Sequence, residues 1–538
     1  MLGLLETRRP RLLLVLFCVL LWVPGFVTLP PGDRDESRFA QGTKQMLETG
    51  DFVRIQNGTE ARNRKPIGIY WLQAPFVAAA EAVGLAHENP IWPYRLPSLL
   101  GALVAVLGTY SLGERLAGRQ AGLLGAAFLA GSVILCIETH IAKTDAALAG
   151  SVVLAMGVMG RAYLAPASVG AGRAALFWLA LAASILLKGP IGPMVAGLTA
   201  ITLGIADRRW RWLAALRPGW GVPLMVAAVL PWFIAIGVAT QGRFFADAIG
   251  GDLGRKLSSG DDAHWGPPGM HLLLLPVLLL PAIAALPGAL RRAWADRMLP
   301  GTRFLLGWSV PSWLVFEAAP TKLPHYTLPL LPALTLLAAA WLLRRDRGPI
   351  GRASALLPVV VSLLLAVALA ALPVLLHVPI WPGVPAAAAA LLLAAIFGLL
   401  LRRRAWEAEM RIVLTALVCL PLFYGAALGV ELPGLTPLWL APRVEAVLPP
   451  GRVGSIGFAE PSLMFLAGTD TKFLPAGAAA DALSSGEVAS LVVGDRDLAA
   501  VLADLRKRGI ATTQLAQIGG FNYSRGRFVT LTLLSRQR

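Results

Sequence analysis

PRLLLVLFCVLLWVPGFVTLPPGDRDESRFA, residues 10–40, decides the architecture. Basic residues up to Arg11 lead into an apolar run over 11–29, and the charges Asp33, Asp35, Glu36 and Arg38 follow at its far end. The run is long enough to cross a bilayer, and many more follow it. It therefore reads as an uncleaved first helix rather than a leader peptide, with the N-terminus on the cytoplasmic side. Asp35 and Glu36 then stand just outside the first span.

Working outward, the chain returns to that outer face carrying Lys65, Lys143-Thr144-Asp145, Lys188 and Lys322. Orientation rules place cations inside, and lysine is scarce: eight in 538 residues, half of them at these outer turns. Charges placed against the topological preference at a membrane face mark chemistry or binding.

The composition fits a bilayer-embedded chain, with 56% hydrophobic and 15% charged residues and a mean hydropathy of +0.65. A soluble protein would expose too much apolar surface. The net charge of +17 does not mark a nucleic-acid partner. The arginines fall in short runs between apolar segments (Arg8-Arg9, Arg208-Arg209, Arg291-Arg292, Arg344-Arg345, Arg402-Arg403-Arg404) and act as positive-inside punctuation. Cys18, Cys136 and Cys419 lie within apolar spans and read as packing residues without redox or metal roles.

Apolar stretches near 11–29, 94–113, 119–137, 145–164, 174–187, 189–206, 219–239, 268–290, 303–318, 326–343, 355–376, 381–401 and 410–430 predict about thirteen transmembrane helices. One orientation puts every strongly basic connector inside and the C-terminus outside. The predicted organisation is an all-α polytopic membrane domain over 1–430, followed by a small α/β domain over 431–538 on the outer face. Two long outer connectors interrupt the first domain. Residues 30–93 include amphipathic stretches at 38–49 and 67–85 that read as interfacial helices, and residues 240–267 form a polar loop rich in glycine and acids. The C-terminal segment has β-like runs at 453–458, 490–494 and 528–534, with a helix at 497–508.

Each charged motif has a plainer explanation taken alone. Acids at a helix start cap the helix and favour its dipole; this explains one acid, but not Glu138, His140, Lys143 and Asp145 together in ETHIAKTDAAL. Lysines near a helix end snorkel to the headgroups at little cost. Snorkelling does not explain why Lys65, Lys188 and Lys322 prefer the outside, whereas a phosphate ligand does, because several fixed cations around one dianion form short charge-assisted contacts. His264, in DDAHWGPP beside Asp261 and Asp262, is the candidate ligand for a divalent metal. His325 reads as a turn or packing residue. No HExxH, paired CxxC, Walker loop or dinucleotide fingerprint occurs.

The Asp35-Glu36 pair, RKP (64–66) before the aromatic IGIYWLQ, KTDAAL (143–148), LLKGPIGP (186–193) and KLPHYTLPLLPALTLLAA (322–339) together resemble the membrane glycosyltransferases of the GT-C fold. Within that fold they are most similar to bacterial aminoarabinose transferases and protein mannosyltransferases. The resemblance extends into GFAEPSLMFLAGTDT (457–471) and GFNYSRGRF (520–528). It implies transfer of a sugar from a polyprenyl phosphate to an envelope acceptor (a lipid A-type glycolipid, a glycan or a protein) at the periplasmic face of the bacterial inner membrane. It also implies roles. Asp35 would be the catalytic or acceptor-orienting acid and Asp145 the second acid. Arg38, Lys65 and Lys188 would hold the lipid phosphate, Glu36, Lys322 and Tyr326 would line the substrate pocket, and His264 would fall where relatives carry a metal-associated histidine. One departure stands out: Arg64 replaces the glutamate of the usual Glu-Lys-Pro, which removes a metal ligand and argues for another sugar or acceptor.

A hydroxyl acceptor would need a carboxylate base, for which Asp35 is the first choice, and direct attack would invert the anomeric centre. A transporter or flippase of lipid-linked sugars is the alternative. That class carries charge at mid-membrane depth and shows internal repeats, of which none is visible.

Overall fold

A computed structural model describes residues 2–63, 65–85, 89–253, 266–403 and 405–537, with the side chains of Ile249 and 251–253 left out. His264, Asp261, Asp262 and Arg64 lie outside the described residues.

The first helix, α1 (Pro10–Trp22), is shorter than the 11–29 run. The chain leaves it through Pro24 and Gly25, and a Cβ on Gly25 would lie 2.3 Å from the Leu428 carbonyl oxygen. The acidic stretch then opens α2 (Asp35–Thr49), a helix with a polar composition and a buried face. A two-stranded hairpin, β1 (Gln56–Asn57) with β2 (Glu60–Ala61), leads to α3 (Gly68–Ala82). Both helices fall where the amphipathic patterns at 38–49 and 67–85 predict them.

The bundle continues with α4 (Trp92–Ala117), α5 (Arg119–Ala130), α6 (Val133–Thr139), α7 (Asp145–Leu164), α8 (Ala171–Lys188), α9 (Ile191–Asp207) and α10 (Pro218–Ala239). The stretch read as one span over 119–137 is a bent pair, α5 and α6, at 61° to each other. The interruption is Gly131-Ser132, where backbone entropy and a competing hydroxyl weaken the helix. Residues 268–290 are likewise broken, into Met270–Leu278, a short turn at 282–284 and Leu286–Ala295, around Pro281.

Among the described residues, eight helices are long and apolar enough to cross a membrane, or nine if the bent pair counts as one. After α10 these are Pro324–Leu342, Arg352–Leu375, Gly383–Leu401 and Trp406–Gly434. Pro10–Trp22 and Ile191–Asp207 are shorter apolar helices. Close packing of α4 on α7 depends on glycine: a Cβ on Gly101 would meet the Ala147 Cα at 2.4 Å. Small residues let membrane helices approach in this way.

The C-terminal segment carries a five-stranded sheet of β3 (Val453–Ile456), β4 (Lys472–Phe473), β5 (Ser490–Gly494), β6 (Thr512–Asn522) and β7 (Arg527–Arg536). The spatial order is β4-β3-β5-β7-β6, with β4, β3 and β5 parallel and β7 and β6 antiparallel. Helix Asp495–Lys507 follows β5, as the sequence pattern predicts. The long β6 lies outside the predicted runs. It is an edge strand of polar residues and paired glycines, with a register shift between Gln514 and Ala516, so it lacks alternation. Helix Pro461–Ala467 from this segment packs on α2, whose Gln41 and Lys44 reach it by hydrogen bonds to Thr469 and the Phe465 carbonyl.

Candidate active site

The site assembles where helix ends meet. Helices α7 and α8 are consecutive and antiparallel neighbours, so the start of one lies beside the end of the other. Asp145 is the first residue of α7 and Lys188 the last of α8. A carboxylate at a helix N-terminus and an ammonium at a C-terminus each favour the local dipole. The two side chains are directly bonded, Lys188 Nζ donating to Asp145 Oδ1.

Three more groups close the cluster. Lys143 Nζ lies 2.9 Å from Glu138 Oε1 and 3.6 Å from Asp145 Oδ2. His325 bridges the same acids, with Nε2 3.7 Å from Asp145 Oδ2 and Nδ1 3.8 Å from Glu138 Oε1. Lys143 Nζ donates to His325 Nδ1 at 3.3 Å. Tyr326 lies under Lys188, 5.2 Å from ring centroid to Nζ, and edge-on to His325. Glu138, Asp145 and Lys143 are buried. Burial opposes the charge on Lys143, but the Glu138 and Asp145 carboxylates outweigh it and hold the ammonium above its ordinary lysine value.

The outer rim carries the remaining predicted residues. Asp35, the first residue of α2, is exposed and adds to the field on Lys143. Lys65 is half-buried and acts electrostatically on His325. Its segment reaches the end of α8 because Gly68 has no side chain: a Cβ there would meet the Leu186 carbonyl oxygen at 2.6 Å. Arg38 lies one turn beyond Asp35. Its guanidinium is pushed below its ordinary value first by partial burial and then by the Arg62 charge, while Asp35 acts the other way. Asp35, Arg38, Lys65, Asp145, Lys188 and Tyr326 thus fall in one neighbourhood.

Two predicted pocket residues, Lys322 and Glu36, lie outside the ionic cluster. The Lys322 ammonium is buried and donates to the Gly266 and Ala319 carbonyls at 2.9 and 2.8 Å, tying off a helix end. Glu36 is buried in a pair with Arg95, Nε to Oε1 2.8 Å. The pair forms the polar end of a cavity of about 760 Å³, otherwise lined by residues such as Leu29, Ile137, Leu372, Leu432, Trp439 and Phe528. His325, read from sequence as a turn or packing residue, belongs to the ionic cluster. Its signal was its place in KLPHY, three residues after Lys322 and next to Tyr326. Arg95 went unmarked, although a lone arginine at the edge of the apolar 94–113 stretch was the available cue.

Glu138, Asp145 and His325 offer ligand atoms within 4.8 Å of one another, a spacing that could hold a metal ion. Each carboxylate, however, already carries a lysine ammonium, Lys143 on Glu138 Oε1 and Lys188 on Asp145 Oδ1. A divalent ion would have to enter against two positive charges, so the residues as arranged do not fit one. The cluster is a cage of organic cations and acids.

Helix Pro461–Ala467 and the turn between β6 and β7 close over the start of α2. Ser462 donates to Asp33 Oδ1, the Asp33 N–H donates to the Tyr523 hydroxyl, and Arg34 donates to the Ser524 carbonyl. Burial raises the Asp33 carboxyl from an ordinary 3.8 to about 7, with Ser462 opposing and Glu460 adding to the rise. A folded-state value above the unfolded one means the fold favours the protonated acid. The stabilising share is therefore full below about pH 4 and is lost as the pH rises toward 7. Asp33→Asn should raise the melting temperature at pH 8 and leave it nearly unchanged at pH 4; equal shifts at both would disprove the titration.

The chain has the fold of the GT-C membrane glycosyltransferases. ArnT from Cupriavidus metallidurans, solved bound to undecaprenyl phosphate, superposes with a TM-score of 0.76 over 97% of each chain at 20% identity. The archaeal oligosaccharyltransferase AglB from Archaeoglobus fulgidus, in complex with an inhibitory peptide and a dolichol-phosphate, gives 0.50 over 97% of this chain and 73% of its own, at 10% identity. In sequence, the chain is similar to the undecaprenyl phosphate-alpha-4-amino-4-deoxy-L-arabinose arabinosyl transferase of Pseudomonas paraeruginosa, 30% identical over 338 residues. The like-named enzyme of Enterobacter sp. is 28% identical over 310 residues. These matches span 61% and 57% of this chain and only a little over half of each relative, 56% and 54%. No protein-family profile matches the chain.

Proposed function

We propose that this protein is an inner-membrane glycosyltransferase that moves a sugar from a polyprenyl phosphate to a cell-envelope acceptor. The observation that carries this is the convergence of two helix-start carboxylates, Asp35 and Asp145, with Lys65, Lys143 and Lys188 at one end of the helical bundle. In the transfer, the bond between the anomeric carbon and the phosphate oxygen breaks and the lipid phosphate departs as an anion. Arg38, Lys65 and Lys188 supply positive charge where that anion develops, so little acid assistance is needed. The acceptor oxygen bonds to the anomeric carbon from the opposite face and inverts it. Asp35 takes the proton of a hydroxyl acceptor, or orients an acceptor that is already an anion, and Asp145 fixes Lys188.

The lipid chain of a substrate would fit the apolar cavity beside Glu36 and Arg95. The names of the sequence relatives and the bound lipid of the superposed structure support an undecaprenyl-type donor. Arg64, in place of the usual glutamate, supports a departure in sugar or acceptor.

The topology that suits this function has thirteen spans. It adds the shorter apolar helices and the segments 268–290 and 303–318 to the nine counted above. The N-terminus is then cytoplasmic, and residues 431–538 form a periplasmic domain above a membrane domain of residues 1–430. The transporter reading is weaker, because the charged groups gather at helix ends rather than at mid-depth.

Mass spectrometry of envelope glycolipids and surface glycans, with and without the protein, tests the function. A sugar-sized mass difference that the purified protein restores from a polyprenyl-phosphate donor is expected, with chelator present. Movement of the donor across vesicles without transfer would instead establish the transporter.

A further inference from the structure

We infer that Arg95 is a positioning residue for the transfer site, holding the two acid-bearing segments in register through Glu36. This rests on the proposed transfer chemistry, but the geometry behind it does not. Arg95 lies in the first turn of α4 and is 1% exposed. All five guanidinium N–H groups can be accounted for. Nε donates to Glu36 Oε1 (2.8 Å), Nη1 to the Phe26 and Leu29 carbonyls (3.0 and 2.8 Å), and Nη2 to the Pro30 carbonyl and Glu36 Oε2 (3.0 and 3.1 Å). Glu36 in turn accepts from two backbone amides, Gly32 N–H at Oε2 (2.7 Å) and Ala142 N–H at Oε1 (2.9 Å).

The placement of these backbone groups is what points beyond packing. Phe26, Leu29, Pro30 and Gly32 form the connector that delivers Asp35. Ala142 lies in the turn between Glu138 and Asp145. The two acids start different helices, α2 and α7, and they lie far apart in sequence. Arg95, on a third helix, anchors both segments to one rigid planar fork. Neither Arg95 nor Glu36 belongs to the Lys143–Asp145–Lys188 cluster, so the pair reaches the reacting groups through the backbone. A misplacement of about 1 Å at reacting groups can cost about a hundredfold in rate.

Arg95→Lys retains the charge but replaces the five-donor fork by one nitrogen with three donors. With the full-length protein in nanodiscs, we expect turnover at saturating lipid donor to fall about a hundredfold. Hydrogen exchange at the backbone of residues 137–145 should rise in the same variant. Glu36→Gln, which preserves shape and one acceptor oxygen, should move both readouts the same way by less. Unchanged exchange in Arg95→Lys would overturn the clamp, and that measurement needs no transfer activity. Faster exchange with wild-type turnover would overturn the positioning role. So would a turnover loss no larger than the unfolded fraction in a melting curve. If the wild-type chain transfers no sugar, the functional proposal fails and takes the positioning role with it, while exchange still decides the clamp.

Discussion

Asp35→Asn is expected to lower transfer to a hydroxyl acceptor by about 10²–10⁴-fold, the range for loss of a positioned general base. The substitution is close to isosteric and removes only the charge. Asp35 is exposed at the first position of α2 and has no buried partner to strand, so folding should survive. Losing one acid from a helix start costs only about 0.3–1 kcal/mol. The flanking anchors, Asp33 and Arg34 on the C-terminal segment and Glu36 on Arg95, remain in place. The size of the effect also reports the acceptor. An acceptor that is already an anion needs no base, and Asn could still orient it, so a loss of only severalfold would identify that chemistry. Wild-type turnover by purified, folded Asp35→Asn would refute the role assigned to Asp35.

The second large effect concerns Lys188. Its ammonium is bonded to Asp145 and rests over Tyr326. Lys188→Met should destabilise the protein by up to about 3–5 kcal/mol, the cost of leaving a buried charge without its partner. Lys143, 3.6 Å from Asp145 but closer to Glu138 at 2.9 Å, and His325 at 3.7 Å compensate the carboxylate only in part. Transfer should be lost as well, since the site would lack one of the cations that receive the departing phosphate. The double variant Lys188→Met/Asp145→Asn separates the two consequences: it should recover most of the melting temperature and none of the transfer. If the single variant melts with the wild type, Asp145 is not held by Lys188. If the double variant regains transfer, the ammonium does not serve the phosphate.

Much of this site was legible as charge in unusual places. Lys65 and Lys188 run against the positive-inside preference, and Lys188 is bonded to Asp145 while Lys65 acts on His325. Lys322 breaks it equally and does not serve the cluster, because two carbonyls at a helix end occupy its donors. Charge against preference therefore marks a location but leaves the role open. The local cue at His325, its place in KLPHY, did not say which residues it would meet; its membership follows from the turn before helix Leu331–Leu342 lying against α7. Arg95 and Glu36 were separately visible as charges. Their union across 59 positions was not.

The metal expectation shows the same boundary. The adjacent Asp261 and Asp262 and the family resemblance drew attention to His264, which lies outside the described residues. The acids and histidine that do converge are Glu138, Asp145 and His325, and the two lysines already on them decide against a divalent ion.

By itself, the amino-acid order determined the helical membrane architecture and the two amphipathic helices of the 30–93 connector. Hydropathy, periodicity and charge bias are sums over neighbouring residues, so a local window suffices to read them. Tertiary structure alone decided which lysine meets which acid, why Glu36 faces Arg95 while Asp35 stays exposed, and that Lys322 is spent on backbone carbonyls. Those outcomes depend on distances between segments far apart in the chain, set by close approaches such as Gly68 on Leu186 that no local window contains.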